Sequence, residues 1–212
     1  MIIAVDGPAA SGKGTIARAL AAHYKLPHLD TGLLYRAVGQ TVLDRGEDPA
    51  NSDAALAACD FADALLADPR LKDSAAGNAA SVVSAHPQVR DALIARQRSF
   101  AGQPGGAVLD GRDIGTVIAP RADAKLFVRA TSAIRARRRH EELTRAGARI
   151  SFDRVLADIK ARDLRDSTRS AAPLKQAPDA ALLDTSYMSV EAAIGNAIHL
   201  VDQQLAQGNR RP

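Results

Sequence analysis

The 212-residue sequence predicts an α/β domain with a central, mostly parallel sheet flanked by helices. Two observations carry that expectation. Short apolar runs rich in β-branched residues alternate with longer stretches of helical period, the pattern of strands joined by crossover helices. The first such run, Ile2 to Val5, leads into the Gly-rich segment GPAASGKGT, Gly7 to Thr15, and then into a helical stretch. A strand, a Gly-rich loop and a helix in that order make a phosphate cradle, because successive backbone amides point into one concavity and the helix N-terminus adds partial positive charge. The fold expected is that of the P-loop NTPases.

The elements follow in chain order. After the strand Ile2 to Val5 and the loop, a helix from Lys13 to Tyr24 turns Ile16, Ala19 and Leu20 inward. A short strand, Leu26 to Leu29, precedes Asp30, and a second helix after Thr31 carries Leu34, Tyr35, Val38 and Val42. The stretch ADPRLKDSAAGN, Ala67 to Asn78, has weak periodicity and reads as a loop or small insertion. Ala107 to Leu109 and Lys125 to Val128 are the next strands. A cap at Thr131 or Ser132 then opens a basic helix pair, with Gly147 near its bend. Ala181 to Leu183 is the last strand. The final helix, Ser189 to Leu205, has Ser189 as its N-cap but lacks a capping box, since Ala192 stands three residues on. The tail Gln207 to Pro212 is expected to be disordered, and residues 1–212 to form a single domain.

Composition narrows the function. With only 3% aromatic residues and no Trp, the chain lacks the stacking platforms of single-strand nucleic-acid modules, so no nucleic-acid partner is expected. The formal charge of +4 suits nucleotides. Cys59 is the only cysteine, which rules out an internal disulfide and fits a reducing compartment; its Ala-rich surroundings read as core. No apolar run approaches the roughly 20 residues of a spanning helix, so a cytoplasmic protein without a membrane partner is expected. The five histidines, His23, His28, His86, His140 and His199, show no metal-ligand spacing and read as structural or exposed. The chain is taken as a monomer.

Within the loop, Lys13 brings a full charge to the terminal phosphates of a nucleotide. Gly7, Pro8, Ala9, Ala10, Ser11, Gly12, Lys13, Gly14 and Thr15 form the expected ATP cradle. Gly14 stands where the common pattern has a magnesium-binding Ser or Thr, and the hydroxyl is deferred to Thr15. Mg2+, the expected cofactor with ATP, is then held mainly by phosphates and water, with no direct protein ligation. The guanine-selecting Asn-Lys-x-Asp motif is missing, which places a GTPase switch behind a phosphotransferase.

GPAASGKGT followed by LDTGLLYRAVG, NAASVVSAHPQVRDALIARQR, LDGRDIGTV and IKARDLRDSTRSAAPL is similar, in order and spacing, to the bacterial cytidylate kinases. The resemblance spans nearly the whole chain. It implies ATP-dependent phosphorylation of CMP and dCMP, with a monophosphate-binding lobe within residues 31–100 and a mobile lid at about 132–166. The small antiparallel insertion common in that family looks shortened here, near residues 67–80.

The chemistry agrees with that reading. A phosphate monoester has a second pKa near 6, so as an acceptor it needs no general base. Bringing two anions together is the problem, and Arg36, Arg90, Arg112, Arg135, Arg137, Arg138, Arg139, Arg162, Arg165 and Arg169 supply planar forks for phosphate oxygens. By the resemblance, Thr31, Tyr35 and Arg36 line the monophosphate site, with Arg36 and Arg112 on the acceptor phosphate. Arg162 and Arg165, three apart on one helical face, close over the transferring phosphoryl, so the catalytic set is Lys13, Arg112, Arg162 and Arg165. Asp166 takes the sugar, with Arg169 nearby, and Arg137 lies beside the adenine. Cytosine donates from its amine and accepts at N3 and O2; Asp113 faces the amine, with Ser81 and Arg90 as donors. Uracil would leave buried polar groups unpaired, a defect that rejects an analogue by up to about 10⁴- to 10⁵-fold. Asp110, ending an apolar run, reaches the nucleotide crevice.

Plainer readings stand beside these. Tyr35 also fits a core aromatic, Ser81 a helix cap, Arg90 a solvated face, Asp110 a turn residue and Asp166 a salt-bridge partner. Two other functions remain open at this point: a kinase of another monophosphate or of a small hydroxyl substrate, with Asp110 or Asp113 as base, and a non-enzymatic nucleotide-binding protein.

Overall fold

A computed structural model describes residues 1–208. Five strands, β1 (Ile2–Asp6), β2 (His28–Asp30), β3 (Ala107–Gly111), β4 (Ala124–Arg129) and β5 (Ala181–Asp184), pair in the order β2-β3-β1-β4-β5. Every pairing is parallel, with Ile3 opposite both Val108 and Ala124. Helices cover both faces, which is why β3 is buried at all five positions and reads as an unbroken apolar run up to Leu109. The chain leaves β1 for one side of the sheet and later crosses to β4 on the other, so the order reverses beside β1, where an open α/β sheet binds its ligands.

Helix α1 (Lys13–Tyr24) buries Ile16, Leu20 and Ala21 against β1, β4 and the last helix, α8 (Val190–Gly208). Ser189 caps α8 by accepting from the Ala192 amide at 3.1 Å. Helix α2 (Thr31–Asp44) is capped by Asp30, which accepts from the Gly32 amide. Its inner stripe of Leu34, Tyr35, Val38 and Val42 packs against α3 (Ser52–Ala57), α4 (Ser74–Val83) and α5 (Pro87–Ala101) in a second core. Residues 31–101 thus form a helical lobe at one edge of the sheet. On the opposite side α6 (Ser132–Arg145) and α7 (Phe152–Thr168) pair through Ala136, Val155 and Ile159.

The stretch 67–78 is ordered helix, not loop. Pro69–Lys72 forms a 3-10 turn and Ser74 begins α4. Small residues hid the periodicity: at Gly39 a Cβ would stand 2.8 Å from the Ala79 Cβ, so α2 and α4 pack almost backbone to backbone without large apolar side chains. The short strand expected at Leu26 to Leu29 lies slightly later, at His28–Asp30. The tail expected to be disordered begins instead within α8, which includes Gln207 and Gly208; residues 209–212 lie outside the described residues.

Candidate active site

The site grows from the carboxyl end of the sheet. β1 runs into Gly7, whose backbone lies so near β4 that a Cβ there would stand 2.1 Å from the Val128 carbonyl oxygen. The loop turns through Ala10 and Gly12 in the left-handed region, φ 58° and 89°, and α1 starts at Lys13. Ala9 to Thr15 line a central cavity of about 330 Å³; Gly7 and Pro8 lie behind it. Arg36, from α2, and Arg162, from α7, face the loop across this cavity.

Asp110, at the end of β3, is fully buried beneath the loop lysine. Lys13 Nζ lies 3.1 Å from its Oδ2, and His28 Nε2 lies 2.8 Å from its Oδ1. Burial pushes the Asp110 carboxyl up, but Lys13 and His28 together outweigh burial and hold it below the usual carboxylate range. His28 is therefore part of the site, contrary to its sequence reading as merely structural or exposed. Asp110 Oδ2, whose one close partner is Lys13, lies 3.8 Å from where Gly14 would carry a Cβ. A hard oxygen donor there fits the water of a hydrated Mg2+ carried in by phosphates once the lysine has turned to them. No cluster of three or more His, Cys, Asp or Glu able to hold a metal exists among the described residues.

Beside the central cavity lies a second, smaller pocket of about 30 Å³, lined by Thr31, Tyr35, Arg90, Arg112, Asp113 and Arg169 among others. Thr31 donates to the Asp110 carbonyl at 2.8 Å, and Arg112 Nε donates to Asp166 Oδ2 at 2.8 Å. Asp113 lies between two guanidinium groups: Arg90 Nη2 donates to its Oδ2, and Arg169 Nη2 lies 3.7 Å from its Oδ1. Tyr35 stacks under Arg90, 5.5 Å from its guanidinium carbon, with its hydroxyl buried; both the core reading and the site reading of this residue apply. Ser81 is not a cap: it is buried within α4, and its hydroxyl accepts from Arg165 Nε at 3.1 Å. Arg36 donates to the Leu71 and Asp73 carbonyls, which ties α2 to the start of α4.

Four arginines, Arg36, Arg112, Arg162 and Arg165, converge here. Burial, with Arg112 adding repulsion, brings Arg162 down to about 9, and its Nε is buried without a partner. Asp166 is held below the usual range because Arg112 and Arg162 outweigh its burial. Arg112 is paired with Asp166, but the cluster as a whole keeps an excess of positive charge, which suits an anion.

A third cavity, about 540 Å³, opens on the other side of the loop between α1, α6 and α8, with Met188, Val190, Ala193 and Ile194 as apolar wall. It shares Ala10 to Gly12 with the central cavity. Arg137, expected beside the adenine, is exposed on α6 and lines none of these cavities. Its neighbour Arg138 faces the cavity instead, donating to Thr185 Oγ1 at 3.0 Å and to the Thr185 carbonyl at 2.6 Å. One residue turns a helical side chain by about 100°, and motif spacing alone did not fix that phase. Arg135, open between two readings in the sequence, is structural: it is buried, chelates Asp163 at 2.9 and 2.6 Å, and donates to the Ala130 and Ala9 carbonyls.

Residues 3–203 match the family described as "Cytidylate kinase". The chain belongs to the cytidylate kinase family. Curated relatives named cytidylate kinase are 57% identical in Methylocella silvestris, over 95% of this chain and 94% of the relative. In Xanthobacter autotrophicus identity is 56%, over 97% and 99% of the two chains, and in Rhodopseudomonas palustris 55% over the full length of both. Among solved structures, a gluconokinase from Sinorhizobium meliloti superposes with TM-score 0.54 at 14% identity, covering 97% of this chain and 93% of the other, which shows a common fold. An uncharacterised protein from Eubacterium ventriosum superposes with TM-score 0.55 at 15% identity, covering 95% and 98%. This member of the cytidylate kinase family is a phosphotransferase.

Proposed function

We propose that the chain transfers the terminal phosphate of ATP, as its Mg2+ complex, to CMP and dCMP in line across the central cavity. One observation carries the choice of acceptor. Asp113 is a buried carboxylate braced by Arg90 and Arg169 beside the arginine cluster, and such a carboxylate accepts the exocyclic amine of cytosine while the two guanidinium groups donate to N3 and O2. In uracil, O4 would face that carboxylate. The alternative of a hydroxyl acceptor with Asp113 as base is disfavoured, because both of its carboxylate oxygens already face guanidinium groups, those of Arg90 and Arg169.

In this mechanism the loop amides and Lys13 hold the donor phosphates, with Lys13 leaving Asp110 to do so. Mg2+ supplies charge neutralisation on the donor when bound, with Thr15 and Asp110 as the residues that would hold its water. Arg36 and Arg112 grip the acceptor phosphate. Arg162 and Arg165 neutralise charge that builds on the phosphoryl in flight, the kind of contribution worth about 10³- to 10⁵-fold in rate. Asp166 takes the sugar, and Arg138, in place of Arg137, borders the adenine. The smaller pocket, lined by the lobe of residues 31–101 and by α7, is where CMP binds in this reading. No helix among the described residues is long and apolar enough to cross a membrane. The partners in this reading are the small molecules ATP and CMP or dCMP.

ADP release assayed across CMP, dCMP, UMP, AMP and GMP, with Asp113→Ala alongside the natural protein, tests this. CMP and dCMP should dominate, and the variant should raise the CMP KM and erode selectivity with kcat within about tenfold. A collapse of kcat on every acceptor would instead mark Asp113 as a general base.

A further inference from the structure

The mechanism leaves one buried carboxylate without a task. Asp6 is the last residue of β1, directly before the donor loop, and is only 4% exposed. Among the described residues no ion pair reaches it, although the charge of Lys13 acts on it; the Lys125 ammonium is committed to Asp179 and the Pro120 carbonyl. Instead, Oδ1 accepts from the Ile114 amide at 2.8 Å and Oδ2 from the Gly115 amide at 2.7 Å. These are the two residues that follow Asp113. They open the single wide turn Ile114–Ile118, whose first amides have no capping side chain of their own. Gly115 lets the carboxylate come this close, since a Cβ there would stand 3.3 Å from Asp6 Oδ2 and 3.1 Å from Lys125 Cδ.

We infer that Asp6 is a positioning residue for pyrimidine selection: it clamps the turn after β3 so that Asp113 is presented to the base, and it ties that turn to the start of the donor loop. The clamp needs a carboxylate. Two consecutive amides call for two acceptors on one short side chain, and Asn offers one acceptor and a donor that would oppose the second amide. The chain retains this charge although burial makes it unfavourable, raising the Asp6 carboxyl to about 6 in spite of both amides, with Asp113 pushing the same way and Lys13 against. A site with no work to do would be occupied more stably by a neutral residue.

This inference rests on the reading of Asp113 as the base-selecting residue, and its test separates the two. Asp6→Asn and Asp113→Ala are assayed with CMP, UMP and ATP as varied substrates, with melting curves on each. For Asp6→Asn the CMP KM should rise about tenfold and the CMP-to-UMP ratio of kcat/KM should fall by a similar factor, while the ATP KM stays within about twofold. A lowered melting temperature with an unchanged ratio, or an equal rise in the KM of ATP and CMP, would overturn it. Should Asp6→Asn not fold, Gly115→Ala displaces the same amide without altering charge and should give the same selective loss. If Asp113→Ala itself leaves the ratio unchanged, the reading of Asp113 fails and the role of Asp6 fails with it; if only Asp113→Ala moves the ratio, Asp6 alone is refuted.

Discussion

Replacing Arg162 by Met should make the empty enzyme more stable and nearly inactive. Arg162 has a buried, unpartnered Nε, and burial, with repulsion from Arg112, Arg36 and Arg165, brings it well below the usual guanidinium range, to about 9. At about 1.4 kcal/mol per pKa unit, that depression corresponds to a cost of roughly 5 kcal/mol for holding the cation in the fold. Solvent reaches part of the side chain, and screening there reduces the recoverable part to about 1–3 kcal/mol. Met keeps the length and packing of the aliphatic stem, and Asp166 keeps its bond from Arg112. The melting temperature should therefore rise by about 2–4 °C for each kcal/mol recovered. The sign follows from linkage. A cation whose pKa is depressed in the fold costs stability throughout the range below about 9, and the cost is relieved as pH rises beyond it. The variant's advantage should thus be full at pH 7.5 and shrink above pH 9. Inorganic phosphate should stabilise the natural enzyme more than the variant, because only the former gains a neutralised cluster. In the CMP-dependent assay kcat should fall about 10³-fold or more. A variant that melts lower than the natural enzyme, or keeps kcat within tenfold, would refute the claim that this arginine is held at a cost for the transferring phosphoryl.

Three further outcomes are expected. Lys13→Ala should lower kcat by about 10³-fold or more with an unchanged circular dichroism spectrum, and full activity would show the loop misassigned. Arg138→Ala should raise the ATP KM about tenfold and leave the CMP KM alone, whereas Arg137→Ala should change neither, as initial-rate measurements at varied ATP would show. Because the folded Asp6 carboxyl sits at about 6 against an ordinary 3.8, its charge costs stability above pH 6 and the cost is relieved as pH falls through 6; urea titrations should find a stability gain between pH 7 and 5 that Asp6→Asn abolishes.

Much of this architecture was legible because it depends on short-range signals. The alternation of β-branched runs and helical periods marked the strands, and Gly7, Gly12 and Lys13 marked the loop between two of them. Arg36, Arg112, Arg162 and Asp166 converge as the motif spacing implied. What was not legible depends on partners distant in sequence. His28 gave no metal-like spacing, and its role exists only because β2 pairs with β3 so that Asp110 comes opposite, 82 residues away. Asp6 reads as the end of a strand until Ile114 and Gly115 turn their amides towards it. Arg137 and Arg138 differ by one step of helix phase, which the wall of α8 decides. The α4 segment escaped notice because Ala and Gly make its contacts.

The pairing of Lys13 with Asp110 has a consequence for selectivity towards small anions. A stray phosphate or sulfate reaching the loop does not meet an idle ammonium; it must compete with a carboxylate that is sealed from water and keeps only His28 once the lysine departs. A chelated nucleotide triphosphate replaces that lost partner with the positive charge of its own metal ion and adds many amide contacts at once, so it clears a threshold that a single small anion does not. Under the proposed function, this pairing reserves the loop for its donor over simpler anions.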